Sequence, residues 1–488
     1  MRLVAVFSPE VSIKSPKVKS RFVSRLCSNI QQALKATSHD NAKIVREWSR
    51  LYITLENGTG LEVLKRVFGI HNFFPIDHSV PSQLQDIAAT VEKYKDLAAG
   101  KSICVRVKGG SKVLGRSTKD LEVLLGGKLG AHARKVDLSN PELKLVIDVR
   151  ADETLFYHES IEGAGGLPLG VEGRALCLIS GGFDSAVAAW QLMRRGVSLD
   201  FVFMNLAGSE YERDVLRVTH LLVRQWGYGA SAKFHSLDFF PIMDAIRESG
   251  KDRFAQVILK RAFYKAANMV ADELDDVPAL VTGEALGQVS SQTLHNLSAI
   301  DEASERAVLR PLVAYDKNDI IDLSRHIGTQ LLCEKIREYC ALNPKRPLTK
   351  GKRDIVKEEE ERAIPCSLYQ HACENRKVFN LWDLDVDQVS NSRYSVDKID
   401  ENAVVVDVRE REHFKQWHYQ GAQHMPLDTV LTNLDNFDTE TTYVFYCAFG
   451  MQTAVVAEEM QKRGFQAFNF SGGTVGITKY ARKHNLDW

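Results

Sequence analysis

Two short stretches of this 488-residue chain combine residue types that could do chemistry. The first is SGGFDS, from Ser180 to Ser185, which joins an apolar, strand-like run to a helix-like run. Its glycines let the backbone approach an anion closely, and the first amides of a helix are unpaired donors at a positive dipole end. The second is Cys447, which ends the apolar run TYVFYC and begins CAFGMQT. We therefore expect a phosphate-binding loop and a reactive thiol.

Each stretch also has a plainer interpretation. SGGFDS could be an ordinary strand–turn–helix junction, but the complete motif favours anion binding, and Asp184 is placed to meet a metal ion or a nearby donor. The motif is not GxxxxGKS/T, so the ATPases and kinases with that loop are disfavoured. Cys447 could be a buried strand-end cysteine, although backbone amides at a helix start would favour its reactive thiolate form.

The elements that must position these residues change in pattern along the chain. Strands and helices mix in small α+β units up to the strand pair LKLVIDVR and ETLFYHES, and the Gly-rich IEGAGGLPLGVEGR predicts a boundary near residue 170. Strands and helices then alternate, which predicts a parallel sheet with helices on both faces. The charge-dense KGKRDIVKEEEER (350–362) is expected to be solvated, and a third α/β pattern starts at AVVVDVRE.

Charge is balanced overall, with 63 Lys+Arg and 63 Asp+Glu, but it is unevenly distributed. Two basic stretches in the N-terminal part suggest a phosphate backbone as ligand, and their sparse aromatic residues favour a folded RNA duplex over a single strand. A solvated basic face is the alternative. The cations concerned are Lys14, Lys17, Lys19, Arg21, Arg25, Lys108, Lys112, Arg116 and Lys119.

The phosphate loop, with GEALGQVSSQTLHNL (283–297) and LRPLVAYDKNDII (309–321), resembles the PP-loop ATP pyrophosphatase superfamily, and within it the tRNA 4-thiouridine synthetase family. The resemblance implies that ATP is cleaved between its α and β phosphates, with Mg²⁺, and that Asp184 and Lys317 are catalytic. Arg310 could bind a phosphate group or cap the edge of the sheet. The residues implied to bind ATP are Leu178, Ile179, Ser180, Gly181, Gly182, Ser185, Lys260, Gly283 and Gln292.

Two further resemblances divide the chain. VDLSNPELKLVIDVR with GLPLGVEG looks like a THUMP domain, a module that holds the acceptor end of tRNA, and a ferredoxin-like domain precedes it in the synthetase family. VVVDVREREHF and GAQHMPL resemble rhodanese domains, which carry sulfur as a persulfide on the loop cysteine. The implied fold class is multi-domain α/β. Its modules are ferredoxin-like (1–57), THUMP (58–165), a Rossmann-like parallel-sheet PP-loop domain (172–385) and rhodanese-like (400–488).

The rhodanese resemblance narrows the chemistry of the cysteine loop. Cys-x5-Arg phosphatases share that fold, but the sixth residue after Cys447 is Thr453, so the bidentate phosphate clamp is missing. The loop also has no basic residue, which favours a protein sulfur donor such as a cysteine desulfurase over free thiosulfate. Asp407, Arg409 and His424 are expected to be structural.

The other cysteines differ in what the sequence implies for them. Cys340, in the EYC context of the synthetase family, is implied to form a disulfide with the persulfide cysteine, whereas Cys333 is expected to be structural. Cys366, His371 and Cys373 make a minority hypothesis for zinc, because they offer only three ligands at unusual spacing. We expect no metal site there.

Taken together, the resemblances imply an ATP-dependent tRNA sulfurtransferase that makes 4-thiouridine, by family resemblance at position 8. Its expected partners are tRNA, a cysteine desulfurase and a sulfur-carrier protein of thiamine synthesis. No apolar run is long enough for a membrane span, so a cytoplasmic location is expected. Two alternatives remain open: a PP-loop ligase of another type, such as one that inserts nitrogen, and a non-enzymatic persulfide relay.

Overall fold

A computed structural model describes the chain except residues 40, 57–59, 337–345, 385–393, 401, 435–436, 449, 485 and 487–488. The described residues divide into two compact units. Unit 1 contains residues 1–14, 39–60 and 69–165, and unit 2 contains residues 15–38, 61–68 and 166–488. No described helix is long and apolar enough to cross a membrane.

The strands, in chain order, are β1 (Arg2–Phe7), β2 (Lys43–Arg46), β3 (Arg50–Thr54), β4 (Ile70–Pro75), β5 (His78–Pro81), β6 (Ser102–Gly109), β7 (Lys135–Val136), β8 (Leu143–Val149), β9 (Glu153–Tyr157), β10 (Ile161–Glu162), β11 (Arg174–Leu178), β12 (Ser198–Asn205), β13 (Lys233–Asp238), β14 (Ala279–Val281), β15 (Ala307–Leu309), β16 (Lys377–Asn380), β17 (Ser395–Val396), β18 (Val404–Asp407), β19 (Gln423–His424), β20 (Thr442–Tyr446) and β21 (Gln466–Phe470).

The helices, in chain order, are α1 (Pro9–Ser12), α2 (Pro16–Ala36), α3 (Gly60–Leu64), α4 (Leu84–Glu92), α5 (Lys95–Ala98), α6 (Ser111–Leu114), α7 (Thr118–Gly130), α8 (Phe183–Arg194), α9 (Ser209–Trp226), α10 (Phe240–Glu248), α11 (Ala255–Asp272), α12 (Leu294–Asp301), α13 (Lys317–His326), α14 (Gln330–Lys335), α15 (Arg353–Ala363), α16 (Cys366–Glu374), α17 (Arg411–Gln416), α18 (Leu427–Thr432), α19 (Met451–Lys462) and α20 (Gly473–Lys483).

Unit 1 contains two sheets. The first is antiparallel, with the order β10-β4-β1-β3-β2, and the second has the order β5-β9-β8-β6-β7, in which β6 pairs parallel to β7 and β8. Apolar residues of β6 and β8 alternate onto the face that α4 and α7 cover. Val105 of β6 and Leu145 of β8, for example, lie with Leu125 of α7 in one buried cluster. A cluster that includes Val4 and Leu155 joins the two sheets, so unit 1 folds around a shared core.

The largest sheet lies in unit 2 and confirms the predicted parallel architecture. Its order is β15-β14-β11-β12-β13-β16, and every pair is parallel except the edge pair β13–β16. The central strands read as continuous apolar runs because helices cover both faces. The helix α11 is apolar on most of its surface and lies in this core, where Ile258, Ala262 and Ala266 are buried.

The stretch 350–362 is mostly exposed, as expected, but it contains the helix α15, whose inner face the sequence did not predict. Val356 and Glu360 on that face are buried. Glu360 accepts a hydrogen bond from Arg261 Nε at 2.7 Å and lies 2.8 Å from Lys265 Nζ. These cations satisfy the buried carboxylate, so one face of a very polar helix packs against the core.

The third α/β pattern forms a five-stranded parallel sheet with the order β17-β21-β20-β18-β19, also in unit 2. Its core includes Val406, Phe445 and Met460, and Cys447 belongs to the same cluster. The fold class predicted from the sequence, a multi-domain α/β protein, is therefore confirmed.

Candidate functional site

The predicted phosphate loop lies at a switch point of the large sheet. It follows β11, whose neighbours are β12 on one side and β14 on the other. The chain therefore leaves the carboxyl ends of β11 and β14 in opposite directions. Open parallel sheets bind ligands at such points, beyond the carboxyl ends of the strands. Leu178 ends β11 and Ile179 follows it, buried, with its amide donating to the carbonyl of Val202.

The loop is shaped by its glycines and by one serine. Gly181 has a φ of +80°, a conformation that favours glycine. Ser185 Oγ accepts from the Ser180 amide at 3.2 Å and donates to the Gly182 carbonyl at 3.1 Å. Gly182 caps α8 without a side-chain bond, so the first amides of α8 are available to an anion.

Gly283, two residues after β14, packs directly on this loop. A Cβ built on Gly283 would lie 2.5 Å from the carbonyl carbon of Asp184 and 2.6 Å from the amide nitrogen of Ser185. Only glycine allows this approach without a shift of the backbone. The structure therefore brings the sequence-predicted Gly283 against the start of α8.

Asp184 and Lys317, both predicted as catalytic, form an ion pair beside the loop. Lys317 Nζ lies 2.9 Å from both carboxylate oxygens of Asp184, and it is the first residue of α13. Gln288 Nε2 donates to Asp184 Oδ2 at 3.0 Å, an interaction that sequence reasoning missed although Gln288 lies within the GEALGQ stretch. The pair places the Lys317 ammonium group next to the predicted phosphate loop.

Glu284 organises a second cluster, and sequence reasoning missed this role. It is buried, it accepts hydrogen bonds from Tyr264 at 2.6 Å and from Arg310 at 2.9 Å, and Lys260 Nζ lies 3.8 Å away. Burial raises the pKa of Glu284, but the Lys260 charge and the hydrogen bonds outweigh it, so the pKa lies below its ordinary value. Arg310 also pairs with Asp301, and these carboxylates hold its side chain.

Gln292 ends a short 3-10 turn (Ser290–Gln292) in the connection after β14. Its side-chain oxygen Oε1 is buried and has no hydrogen-bond partner within the described part of the chain. Buried polar atoms normally have partners, so among the described residues this oxygen is an unsatisfied acceptor within the connection. The site thus places Gln292 in the same connection as Gly283 and Gln288.

Cys447 lies at the end of β20, the central strand of the smaller parallel sheet, and is 3 % exposed. Thr453 Oγ1 donates to its Sγ at 3.4 Å, and Thr453 itself is buried where the phosphatases carry arginine. A Cβ on Gly473 would come 2.6 Å from the Cys447 carbonyl oxygen, so the start of α20 packs closely on the cysteine loop. This geometry holds a thiol at the N-terminal end of α19.

The residues expected to be structural, Asp407, Arg409 and His424, form a network. Arg409 Nη2 donates to Asp407 at 2.7 Å and to the Trp417 carbonyl at 2.6 Å, and His424 Nε2 lies 2.8 Å from the Arg409 carbonyl. Asp407 and Arg409 are buried. Their contacts are within the fold, as a structural role requires.

The remaining cysteines have different environments. Cys340 lies outside the described residues. Cys333 is buried in α14, and burial raises its pKa to about 12. Cys366 is exposed, whereas Cys373 is buried. No group of three or more His, Cys, Asp or Glu in the described ranges could hold a metal ion.

The basic residues divide into exposed and engaged ones. Lys112, Arg116 and Lys119 are exposed around α6 and the start of α7. Lys108 is half-buried, and burial lowers its pKa. Arg25 was expected in the basic face, but its guanidinium donates to the backbone carbonyls of Leu169 and Gly229.

The other cations of the first basic stretch also differ in exposure. Lys17 and Arg21 are exposed, Lys14 is partly exposed, and Lys19 is buried.

Comparison with known proteins decides the family. tRNA sulfurtransferases of Yersinia pseudotuberculosis and Yersinia pestis are 34% identical to this chain over 483 residues, which is 95% of this chain and 98% of theirs. This chain belongs to the tRNA sulfurtransferase family. It is an enzyme of that family, which excludes the non-enzymatic relay.

Models of protein families match three segments of this tRNA sulfurtransferase family member. The model of the Thiamine biosynthesis protein (ThiI) matches residues 170–364, that of the ThiI ferredoxin-like domain matches 6–73, and that of the Rhodanese-like domain matches 394–480. A solved 4-thiouridine synthetase in complex with RNA and ATP is 27% identical, with a TM-score of 0.68, covering 78% of this chain and 99% of that one. PH1313 of Pyrococcus horikoshii shares the fold at 22% identity and a TM-score of 0.51, over 67% of this chain and 100% of its own.

Proposed function

We propose that this chain uses ATP to replace O4 of a tRNA uridine, the one at position 8, with sulfur, giving 4-thiouridine. The observation that carries the proposal is the presence of two loops in one compact unit: an anion-binding loop beside the Lys317–Asp184 pair, and the Cys447 loop. The loop beside the Lys317–Asp184 pair would activate the base, and the Cys447 loop would deliver sulfur. The relatives named tRNA sulfurtransferase, and the solved relative that holds RNA and ATP, support this proposal.

ATP would be held at the switch point of the large sheet. The amides of the loop and of α8 would receive phosphate oxygens, while Lys260 and Lys317 would neutralise charge as the phosphate bond breaks. Mg²⁺, when bound, would neutralise further phosphate charge, and Asp184 is the carboxylate that would hold it. The proposed contacts are Leu178, Ile179, Ser180, Gly181, Gly182, Ser185, Lys260, Gly283 and Gln292.

The chemistry balances over three steps. ATP transfers AMP to uridine O4 and releases pyrophosphate, which turns a poor leaving group into a good one. The terminal sulfur of a Cys447 persulfide attacks C4 and AMP leaves, so the base is joined to Cys447 through an S–S bond. The Cys340 thiolate then attacks Cys447 Sγ, which releases the thiolated base and forms a Cys340–Cys447 disulfide. A cellular dithiol supplies two electrons to reset the pair.

The remaining assignments belong to the same proposal. A cysteine desulfurase loads Cys447, a sulfur-carrier protein of thiamine synthesis is a second acceptor, and the enzyme works in the cytoplasm. The modules responsible are 1–57, 58–165, 172–385 and 400–488. A nitrogen-inserting PP-loop ligase would have no use for the Cys447 loop, so mass analysis of nucleosides from tRNA incubated with ATP, cysteine, a desulfurase and this protein separates the two functions.

Replacing Asp184 tests the activation step. In Asp184→Ala we expect tRNA-dependent pyrophosphate release to disappear, because Lys317 loses its partner beside the phosphate loop. Persulfide loading of Cys447 should be unchanged, since the cysteine lies on a different sheet. Asp322→Asn, an exposed carboxylate on α13, is the matched control. Loss of persulfide in Asp184→Ala would contradict the assignment of the two loops.

The two cysteines test the sulfur transfer. Cys447→Ala should abolish thiolation, whereas Cys340→Ala should load sulfur yet fail to turn over. Cys333→Ala, Cys366→Ala and Cys373→Ala are the controls and should remain active. Peptide mapping without reductant after a single turnover should recover a Cys340–Cys447 bridge, and a bridge to one of the control cysteines would refute the role of Cys340.

A further inference from the structure

The cysteine loop contacts the large-sheet half of unit 2 through one of its own side chains. Gln452 lies five residues after Cys447, in the first turn of α19, and its Nε2 donates to the carbonyl oxygen of Gly328 at 3.1 Å. Gly328 follows α13, has a φ of +81° and packs on the side chain of Gln225. A glycine turn in this conformation presents its carbonyl directly to the loop that carries the thiol.

Two more contacts align α19 beside this turn. Arg217 Nη1 of α9 lies 3.7 Å from Glu458 Oε2 of α19, and both side chains are largely buried. Leu331 of α14 packs against the apolar cluster that contains Cys447. Polar, ionic and apolar contacts therefore act together over the first two turns of α19.

The segment that receives the cysteine loop also contacts the phosphate loop. The helix α14 begins two residues after Gly328, and Ile336, which follows it, lies against Gly181, where any added Cβ would meet the Ile336 side chain. The chain then continues directly into the stretch that contains Cys340. Nine consecutive residues thus have the sulfur-bearing loop at one end and the nucleotide loop at the other.

We propose that residues 328–336, with Arg217, form a docking seat for the Cys447 loop, and that Gln452 and Glu458 are positioning residues for sulfur delivery. The inference rests on the proposed function and adds to it the surface on which the sulfur carrier is seated. The seat orients the loop toward the activated base. It takes no part in persulfide formation on Cys447.

The seat is tested with Gln452→Glu and Glu458→Lys. The first keeps the side-chain shape but replaces the amide donor with a charge facing a carbonyl, and the second sets two cations against each other. Both should load Cys447 with sulfur like the parent, yet single-turnover transfer from preloaded protein to tRNA should fall about tenfold or more. The control is Glu440→Arg, which reverses an exposed charge just before β20, and this variant should transfer sulfur normally.

A rescue and a second readout keep the test specific. Adding Arg217→Glu to Glu458→Lys should restore part of the transfer rate, because an ion pair forms again. Recovery should be incomplete, since Asp214, whose Oδ1 lies 3.6 Å from Arg217 Nη1 in the parent, would repel the new glutamate. Amide hydrogen exchange across residues 328–336 should be faster in the two single variants than in the parent.

The outcomes separate the seat from the reaction. Unchanged transfer and unchanged exchange would overturn the seat, as would loss of loading together with loss of transfer. A parent protein that makes no 4-thiouridine would refute the proposed function, while the exchange measurement would still decide whether the seat exists.

Discussion

At the scale of single residues, the site depends on a few buried charges that compensate one another. Glu284 is surrounded by Lys260, Arg310 and the hydroxyl of Tyr264, and it fixes both cations close to Gly283 in the chain. Sequence motifs could point to the lysine and the glycine. They could not reveal the carboxylate as the organiser, because its importance comes from burial and from partners 24 and 26 residues away along the chain.

Glu284 should make stability depend on pH. Because its pKa is lowered in the folded state, its contribution is present above the ordinary value of 4.5 and is lost as pH falls through the lower folded value. Glu284→Gln should reduce the free energy of unfolding by about 3 kcal/mol near neutral pH. Denaturant titrations at several pH values should show this difference shrinking below pH 4.5.

The control for that measurement is Glu305→Gln, an exposed carboxylate nearby in sequence, which should have little effect at any pH. A difference between parent and Glu284→Gln that stayed constant down to pH 2 would show that the charge of Glu284 is not what stabilises the cluster.

At the scale of elements, periodicity predicted most of what the structure contains. The alternation after residue 174 predicted the parallel sheet, since runs such as LCL and FVF suit strands that are covered on both faces. Among the elements that the sequence did not predict, two have clear physical reasons. The helix α15 has a polar sequence whose buried face is satisfied by Arg261 and Lys265, and the antiparallel edge strand β16 is too short to show a pattern.

The packing of β14 on α8 predicts a specific defect. Gly283→Ala would force a methyl group into the backbone of Asp184 and Ser185, so the phosphate loop should shift and the KM for ATP should rise about tenfold or more. The matched control is Gly127→Ala, on α7, where the added methyl group has open space.

Alanine at position 127 should preserve activity and stabilise the helix by about 0.5–1 kcal/mol. Thermal unfolding of both variants checks the fold, and ATP titration of pyrophosphate release checks the site. Equal KM values for Gly283→Ala and the parent would show that the close approach is not needed to shape the loop.

At the scale of the whole molecule, the two units differ in whether the cations discussed above are exposed or paired. Lys112, Arg116 and Lys119 are exposed in unit 1, whereas the cations of unit 2 near the proposed ATP site are paired, as Lys317 is with Asp184. Exposed cations favour binding to a polyanion, because they release the counterions condensed on its phosphates.

RNA binding should therefore weaken with salt. We expect the logarithm of the tRNA affinity to fall linearly with the logarithm of salt concentration, and Lys112→Ala/Arg116→Ala/Lys119→Ala to make the slope shallower by about 0.9 for each phosphate that is no longer neutralised. Lys398→Ala/Lys479→Ala/Lys483→Ala removes three exposed lysines of unit 2 as a control and should leave the slope unchanged. Salt-independent binding would exclude this basic surface as the RNA interface.

The path of the chain has a consequence for proteolysis. Residues 15–38 and 61–68 are built into unit 2: Arg25 donates to the Leu169 carbonyl at 3.0 Å, and Glu62 lies 3.4 Å from Arg409. A protease that cuts once near residue 166 would thus leave two early segments folded within the later part of the chain. The nicked protein should elute as one species under native conditions and separate into two fragments only after denaturation.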